Sequence, residues 1–135
     1  MKQIFSIHPG CDADLESELK KIGHQHAQIF TMVGKFISMA RSGAEIAWLS
    51  VLLERIIVLT LDHCQDEENL LRRRRNSGLS KQKEDHYHIV HELERSHAKM
   101  ENARSMSSED YLHVFDSLII HHHREEECGG LTLNG

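Results

Sequence analysis

Side chains that bind metals occupy positions where the sequence pattern otherwise places apolar residues on the inner face of a helix. Imidazole and carboxylate groups are costly to bury without compensation, and a cation stabilises them more fully than a single hydrogen bond does. Their recurrence in four successive apolar stripes therefore indicates one buried metal site. The candidate ligands are His26, His63, Glu67, His86, His122 and Glu127, with Gln82 as a further ligand or pocket residue.

His63 and Glu67 form the most informative pair. They are four residues apart, so on a helix they lie on one face, one turn apart, and can hold adjacent coordination positions. One carboxylate can also bridge two metals. A site with mostly imidazole donors and few carboxylates favours iron, zinc or copper, and a carboxylate-bridged pair inside a helix bundle favours iron.

Four helices are predicted to position these side chains, because apolar residues recur at helical spacing between short breaks. Asp12 or Asp14 is a candidate cap for the first helix, and Ser107 or Ser108 for the fourth. Short connections imply antiparallel neighbours, so the predicted fold is all-α, an up-down-up-down four-helix bundle. The expected segments are an N-terminal arm at about 1–13 and helices at about 14–41, 44–74, 79–104 and 108–127.

Two turns set the heights of the ligands along the bundle. Arg41-Ser42-Gly43 and Asn76-Ser77-Gly78 are expected to end the first and second helices. Glu67 precedes the second turn by about nine residues and His86 follows Gly78 by about eight, so both should lie roughly 12 to 14 Å from that turn. Their side chains are therefore expected to face each other.

The composition limits the class of protein. The chain has 135 residues, which suits one domain, and a formal net charge of -5, which argues against a general nucleic-acid binder. Three cysteines without a CxxC spacing favour a reducing, cytoplasmic setting, and no apolar stretch is long enough to span a membrane. We expect one metal-binding domain over 1–128, followed at 129–135 by a tail that resembles the start of a linker to an output domain.

The motifs around these ligands resemble those of the hemerythrin family, especially the bacterial hemerythrin-like domains, over nearly the whole chain. Residues 63–68, His-Cys-Gln-Asp-Glu-Glu, look like the family's second-helix H-x-x-x-E motif; residues 23–26 stand at its first motif, and 122–127 are similar to its fourth. The resemblance implies a non-haem centre of two iron ions with an oxo or hydroxo bridge and two bridging carboxylates. It also implies reversible binding of dioxygen as an exogenous ligand.

The chain departs from the family pattern at three positions. The third-helix motif, H-x-x-x-H in the family, runs here from Gln82 to His86, so its first histidine is a glutamine. Glu127 and Gly23 each stand where the family has an aspartate. With Gln82 in place of histidine, two imidazoles remain for each iron, and each metal could carry an exchangeable position.

The register of the fourth helix has two solutions. His121 with Glu126 has the same spacing as His122 with Glu127. The second pair is preferred, because His122 then shares a helix face with apolar residues that precede it. Those residues are Phe115, Leu118 and Ile119.

The functional hypothesis is a binding domain rather than an enzyme, with dioxygen or another small diatomic molecule or anion as its partner. A sensor module of a larger signalling protein is the leading interpretation, and a stand-alone oxygen carrier or storage protein is the alternative. A di-iron oxidase is a weaker alternative, because it needs two inward E-x-x-H pairs and only Glu94 to His97 has that spacing. Neither nucleic acid nor a membrane is an expected partner.

The remaining histidines need no metal to explain them. His97 is expected to be a core histidine with a hydrogen-bond partner. The bland alternative for the whole site, histidines hydrogen-bonded in a metal-free core, would bury Glu67 without a cation. Histidines expected on solvated faces are His24, His88, His91, His113 and His123.

Overall fold

The computed structural model describes residues 9–103 and 106–127, with the side chains of 15–103, 106–107, 109–111 and 113–122. This part of the chain is helical and contains no strand, so the all-α class predicted from the sequence is confirmed. None of the described helices is both long and apolar enough to cross a bilayer. The helices are α1 (Pro9–Arg41), α2 (Ile46–Arg73), α3 (Leu79–Asn102), α4 (Ser108–Leu112) and α5 (Asp116–Glu127).

The first helix begins earlier than expected. Helical backbone starts at Pro9, so 9–13 belong to α1 and not to the arm predicted at 1–13. Proline suits the first helical position, since its fixed φ is helical and its missing N–H would have no partner there. The arm's residues 1–8 lie outside the described residues.

The predicted fourth helix, 108–127, is two helices with a turn at 113–115. Its start is as predicted. The Ser107 hydroxyl accepts a hydrogen bond from the Asp110 N–H at 3.1 Å, and the Asp110 carboxylate accepts one from the Ser107 N–H, which makes a capping box. The single long helix was wrong because local bonds tighten the chain after α4. The Asp116 N–H donates to the carbonyl of His113 at 3.3 Å, and the His113 Nδ1 lies 2.8 Å from the Asp116 carboxylate.

The two connections between the three long helices occur at the predicted turns. After α1, Gly43 has a φ of 81°, which a residue with a Cβ adopts only with strain, and the Ala44 N–H donates back to the carbonyl of Met39. After α2, Arg75 takes the left-handed conformation with a φ of 52°, and the Asn76 side chain accepts from the Gly78 N–H at 2.7 Å. These short reversals return each helix onto its predecessor.

The apolar core has two parts with a polar layer between them. A small cluster joins the early part of α1 to the end of α2 through Leu15, Ile22, Leu70 and Leu71. The larger cluster lies among α1, α2, α3 and the α4–α5 segment. Its best-buried members are Ile29, Phe36, Leu49, Leu53, Ile56, Leu93 and Phe115.

Polar contacts between helices fix their register. Glu18 of α1 forms a salt bridge with Arg73 of α2. Ser50, near the start of α2, donates a hydrogen bond to Glu101 near the end of α3 at 3.2 Å. In sequence, His26, His63, Glu67 and His86 stand between residues of the two clusters, so the fold places these four candidate ligands in one layer.

Candidate metal centre

Glu67 lies at the centre of the polar layer, and its side chain is 1% exposed. Its Oε1 is 2.9 Å from the Nε2 of His86, and its Oε2 is 3.3 Å from the Nε2 of His63 and 3.9 Å from that of His26. A carboxylate so deeply buried requires compensating positive charge. Three imidazoles from three helices supply the polar surroundings.

Two groups of ligand atoms meet at this carboxylate. In each group the ligand atoms lie within 4.8 Å of one another, which is close enough to share one metal ion. We call His26, His63 and Glu67 the first subsite, and Glu67, His86 and His121 the second subsite. Glu67 belongs to both, so it is placed as a bridging carboxylate would be.

The short contacts around Glu67 lack the alignment of hydrogen bonds. The Nε2 atoms of His63 and His86 and both oxygens of Glu67 are fully buried, yet none completes a hydrogen bond in the described part of the chain. Buried polar groups in proteins nearly always have such partners. Buried donor atoms that converge in this way could hold a metal ion, so the donor set fits a metal.

The opposite nitrogen of each of three imidazoles faces a side chain outside the subsites, two at hydrogen-bond distance and one further away. The His63 Nδ1 lies 3.1 Å from the Oε1 of Gln25, the His86 Nδ1 2.8 Å from a Glu68 oxygen, and the His121 Nδ1 3.5 Å from a carboxylate oxygen of Asp85. For His63 and His86, an Nδ1–H donated to these oxygens leaves Nε2 as the inward acceptor, the tautomer that metal ligation needs. Nothing in the helical pattern distinguished these three partners beforehand.

The charges of the metal-free site are coupled. Burial disfavours ionisation of Glu67, but polar contacts and charge from His63 and His86 outweigh it and hold the pKa of Glu67 well below its usual range. Burial also disfavours the charged form of His86, but contacts with Cys64 and Glu67 raise the pKa of His86 to about 11. Glu67 and His86 therefore form a buried ion pair at neutral pH. Burial raises the pKa of the neighbouring Cys64 thiol, which favours its neutral form.

No family model matches the chain, and neither a curated protein nor a solved structure is significantly similar to it.

Of the ligands predicted from the sequence, the structure brings His26, His63, Glu67 and His86 into the two subsites. His122 lies beside them: its ring centroid is 4.8 Å from that of His26 and 4.3 Å from that of Phe30. Gln82 is half-buried on α3, with its Oε1 enclosed. The side chains of Glu127 and of its alternative Glu126 lie outside the described residues.

His121, the less preferred of the two fourth-helix histidines, is a member of the second subsite. The preference for His122 depended on Ile119 facing inward, but Ile119 is 42% exposed whereas Leu118 is 7% exposed. His121 and His122 therefore lie on either side of the centre of the inward face of α5. Each approaches a different imidazole: His122 meets His26, and the His121 ring centroid is 5.3 Å from that of His86.

The other histidines lie largely where they were expected. His97 is half-buried, with its Nε2 3.2 Å from the Ser50 Oγ, which is the partnered histidine predicted from the sequence. Four histidines predicted on solvated faces have exposed side chains, and the fifth, His123, lies outside the described side chains. The four are His24, His88, His91 and His113.

Proposed function

We propose that this chain is a hemerythrin-like domain that binds two iron ions and responds to dioxygen or to redox state. Glu67 carries the proposal, because it is a fully buried carboxylate shared by two groups of imidazole ligands. A single structural cation would need only one of those groups. Two adjacent groups with a common carboxylate suit a dinuclear centre.

The donor types favour iron in this proposal. The described residues of the two subsites supply four imidazoles and one carboxylate, and this mixture suits iron, zinc or copper better than magnesium or calcium. Iron held by these residues would supply a centre that binds dioxygen or another small ligand, or changes oxidation state in response to it. His122 and Glu127 remain proposed additional ligands, and Gln82 a ligand or pocket residue.

We further propose that the helices form an up-down-up-down antiparallel bundle. Contacts between successive helices support this arrangement, because they join early residues of one helix to late residues of the next. Glu18 meets Arg73 between α1 and α2, and Ser50 meets Glu101 between α2 and α3. Gln25 and His63 make a similar contact nearer the centre.

Sensing is preferred to carriage within this proposal, and catalysis is disfavoured. Each subsite has two imidazoles and the shared Glu67, which leaves coordination positions for an exogenous ligand and makes stable carriage harder to maintain. An oxidase centre of the ferritin-like type needs more carboxylates than these groups contain. The sensor would act on an output domain joined after the C-terminal tail, in a cytoplasmic protein.

Iron analysis tests the dinuclear centre directly. Protein produced with iron supplied is expected to hold about two irons per chain, as a shared carboxylate between two ligand groups implies. His86→Ala removes a second-subsite ligand and should abolish loading or reduce it by half. His88→Ala, an exposed histidine on the same helix, is the matched control and should load normally. Fewer than one iron per chain in the unmodified protein would contradict the proposal.

Optical spectroscopy separates sensing from carriage. The reduced protein is recorded before and after exposure to air. Prompt oxidation without a lasting new visible band supports a sensor, whereas a charge-transfer band that persists in air and disappears under vacuum supports an oxygen carrier.

A further inference from the structure

The two subsites differ in the groups that hold their histidines from outside. In the second subsite, the Nδ1 atoms of His86 and His121 approach carboxylates, Glu68 at 2.8 Å and Asp85 at 3.5 Å. In the first subsite, the Nδ1 of His63 approaches a neutral amide, that of Gln25, at 3.1 Å. The Nδ1 atoms of His86 and His121 thus lie near charged groups, whereas that of His63 lies near an uncharged one.

The carboxylate that lies beyond Gln25 is compensated by a lysine. The Gln25 Nε2 donates to Asp66 at 2.6 Å, so a carboxylate is present only one side chain further out. That carboxylate lies 3.4 Å from the Nζ of Lys21, whose positive charge offsets it. Asp85 also has a lysine, Lys81, at 2.8 Å, but Glu68 is adjacent to His86 itself. A carboxylate therefore lies directly beside His86, whereas it is one side chain further from His63.

A carboxylate at Nδ1 makes an imidazole a stronger metal ligand. It draws the Nδ1 proton towards itself, which leaves more electron density at Nε2, and it adds negative charge near the cation. A neutral amide fixes the tautomer and the ring orientation without adding that charge. The two subsites have otherwise similar donors, two imidazoles and the shared Glu67.

From this difference we infer that Glu68 is a positioning residue that tightens metal binding in the second subsite by acting through His86. The inference rests on the proposed dinuclear function and adds a determinant of affinity to one of its two subsites. It also predicts that a carboxylate in place of Gln25 will tighten the first subsite through His63.

Glu68 can be altered without disturbing the packing. Its side chain is 20% exposed and lies on the wall of a cavity of about 540 Å³ between α2 and α3, beside Cys64 and Tyr87. Glu68→Gln keeps the size of the side chain and an oxygen that can accept from His86, while it removes the charge. Glu94, on the same cavity wall, is not a partner of either subsite's histidines, so Glu94→Gln is a matched control for loss of one negative charge.

Single-subsite variants assign each effect to one metal. His26→Ala impairs the first subsite and His121→Ala impairs the second, while each leaves the other histidine pair intact. Binding of Co²⁺ is followed by its visible absorption in competition with a chelator, so the readout is affinity and not activity. Circular dichroism and thermal unfolding show that each variant is folded.

The substitutions that remove or add an outer carboxylate give the decisive measurement. Glu68→Gln should weaken Co²⁺ binding about 10- to 100-fold in the His26→Ala background, the usual effect of losing an outer partner, and have little effect in the His121→Ala background. Gln25→Glu should tighten binding in the His121→Ala background. Glu94→Gln should change neither.

Two results would overturn the inference. One is a Glu68→Gln effect of the same size in both backgrounds. The other is an effect in the His26→Ala background that is no larger than that of Glu94→Gln, since either would be general electrostatics. The proposed function fails separately, if the unmodified protein binds less than one metal per chain; two bound metals with no effect of Glu68→Gln would refute only the inference.

Discussion

Loading the second subsite with metal should release a proton from His86. In the metal-free protein, burial opposes the charge on His86, but Cys64 and Glu67 raise the pKa of His86 to about 11. A histidine must lose its proton from the coordinating nitrogen before it can bind a metal. Because His86 is almost fully protonated at pH 7, we expect it to release about one proton per chain on loading, with apparent affinity rising about tenfold per pH unit between pH 7 and 9.

Isothermal titration calorimetry measures this proton. Zn²⁺ is titrated into metal-free protein in two buffers with different ionisation enthalpies, and the difference in heat gives the number of protons released. Repeating the titration at pH 7, 8 and 9 gives the pH dependence of the affinity. His26→Ala simplifies the titration, because it leaves the second subsite's histidine pair intact.

Two comparisons make the result specific. His88→Ala should release the same number of protons as the unmodified protein, since His88 is exposed and outside both subsites. In His86→Ala, the release of this proton should be lost together with metal binding at the second subsite. Full loading with no proton release and with the same affinity at pH 7 and pH 9 would show that His86 is neutral before metal binds, which would refute the ion-pair reasoning.

Three further predictions concern the metal-free fold. The raised pKa of His86 should stabilise the fold fully below pH 6.5, and this stabilisation should be lost as the pH rises towards 11. The depressed pKa of Glu67 should make the stability decline below about pH 4.5. Urea unfolding across this pH range measures both changes in the free energy of unfolding. Phe115→Ala should lower the free energy of unfolding by about 3 to 5 kcal/mol, because Phe115 is 1% exposed in the larger cluster, and an unchanged urea midpoint would contradict that packing. Ser107→Ala should cost about 1 kcal/mol by removing the cap of α4, with Ser80→Ala, exposed inside α3, as the comparison; equal effects of the two would argue against the cap.

Local rules made much of the fold predictable. Helical periodicity and the two turns gave the number and position of the long helices, because those features depend on neighbouring residues. The turn at Gly43 needs a left-handed residue, and a glycine there can be recognised without a structure. The closeness of Glu67 and His86 followed from counting residues to a shared turn, and the structure has them 2.9 Å apart.

The features that escaped prediction depend on tertiary contacts. Whether His121 or His122 faces the second subsite differs by only about 100° of rotation, and the choice is set by how α5 packs after the turn at 113–115. Gln25, Glu68 and Asp85 look like ordinary surface residues in the sequence. Their roles become visible only when a partner helix brings a histidine nitrogen beside them.

The two adjacent histidines of α5 place this short helix against histidines of both subsites. His121 meets His86 of α3, whereas His122 meets His26 of α1, so the same helix is held to two neighbours. A metal in the second subsite would strengthen the attachment to α3 through His121, and His122 as an additional ligand would extend the same effect to α1. Backbone amides of α5 should then exchange with deuterium at one rate in the empty protein, more slowly with one metal and most slowly with two, so the helix converts metal occupancy into graded resistance to local unfolding.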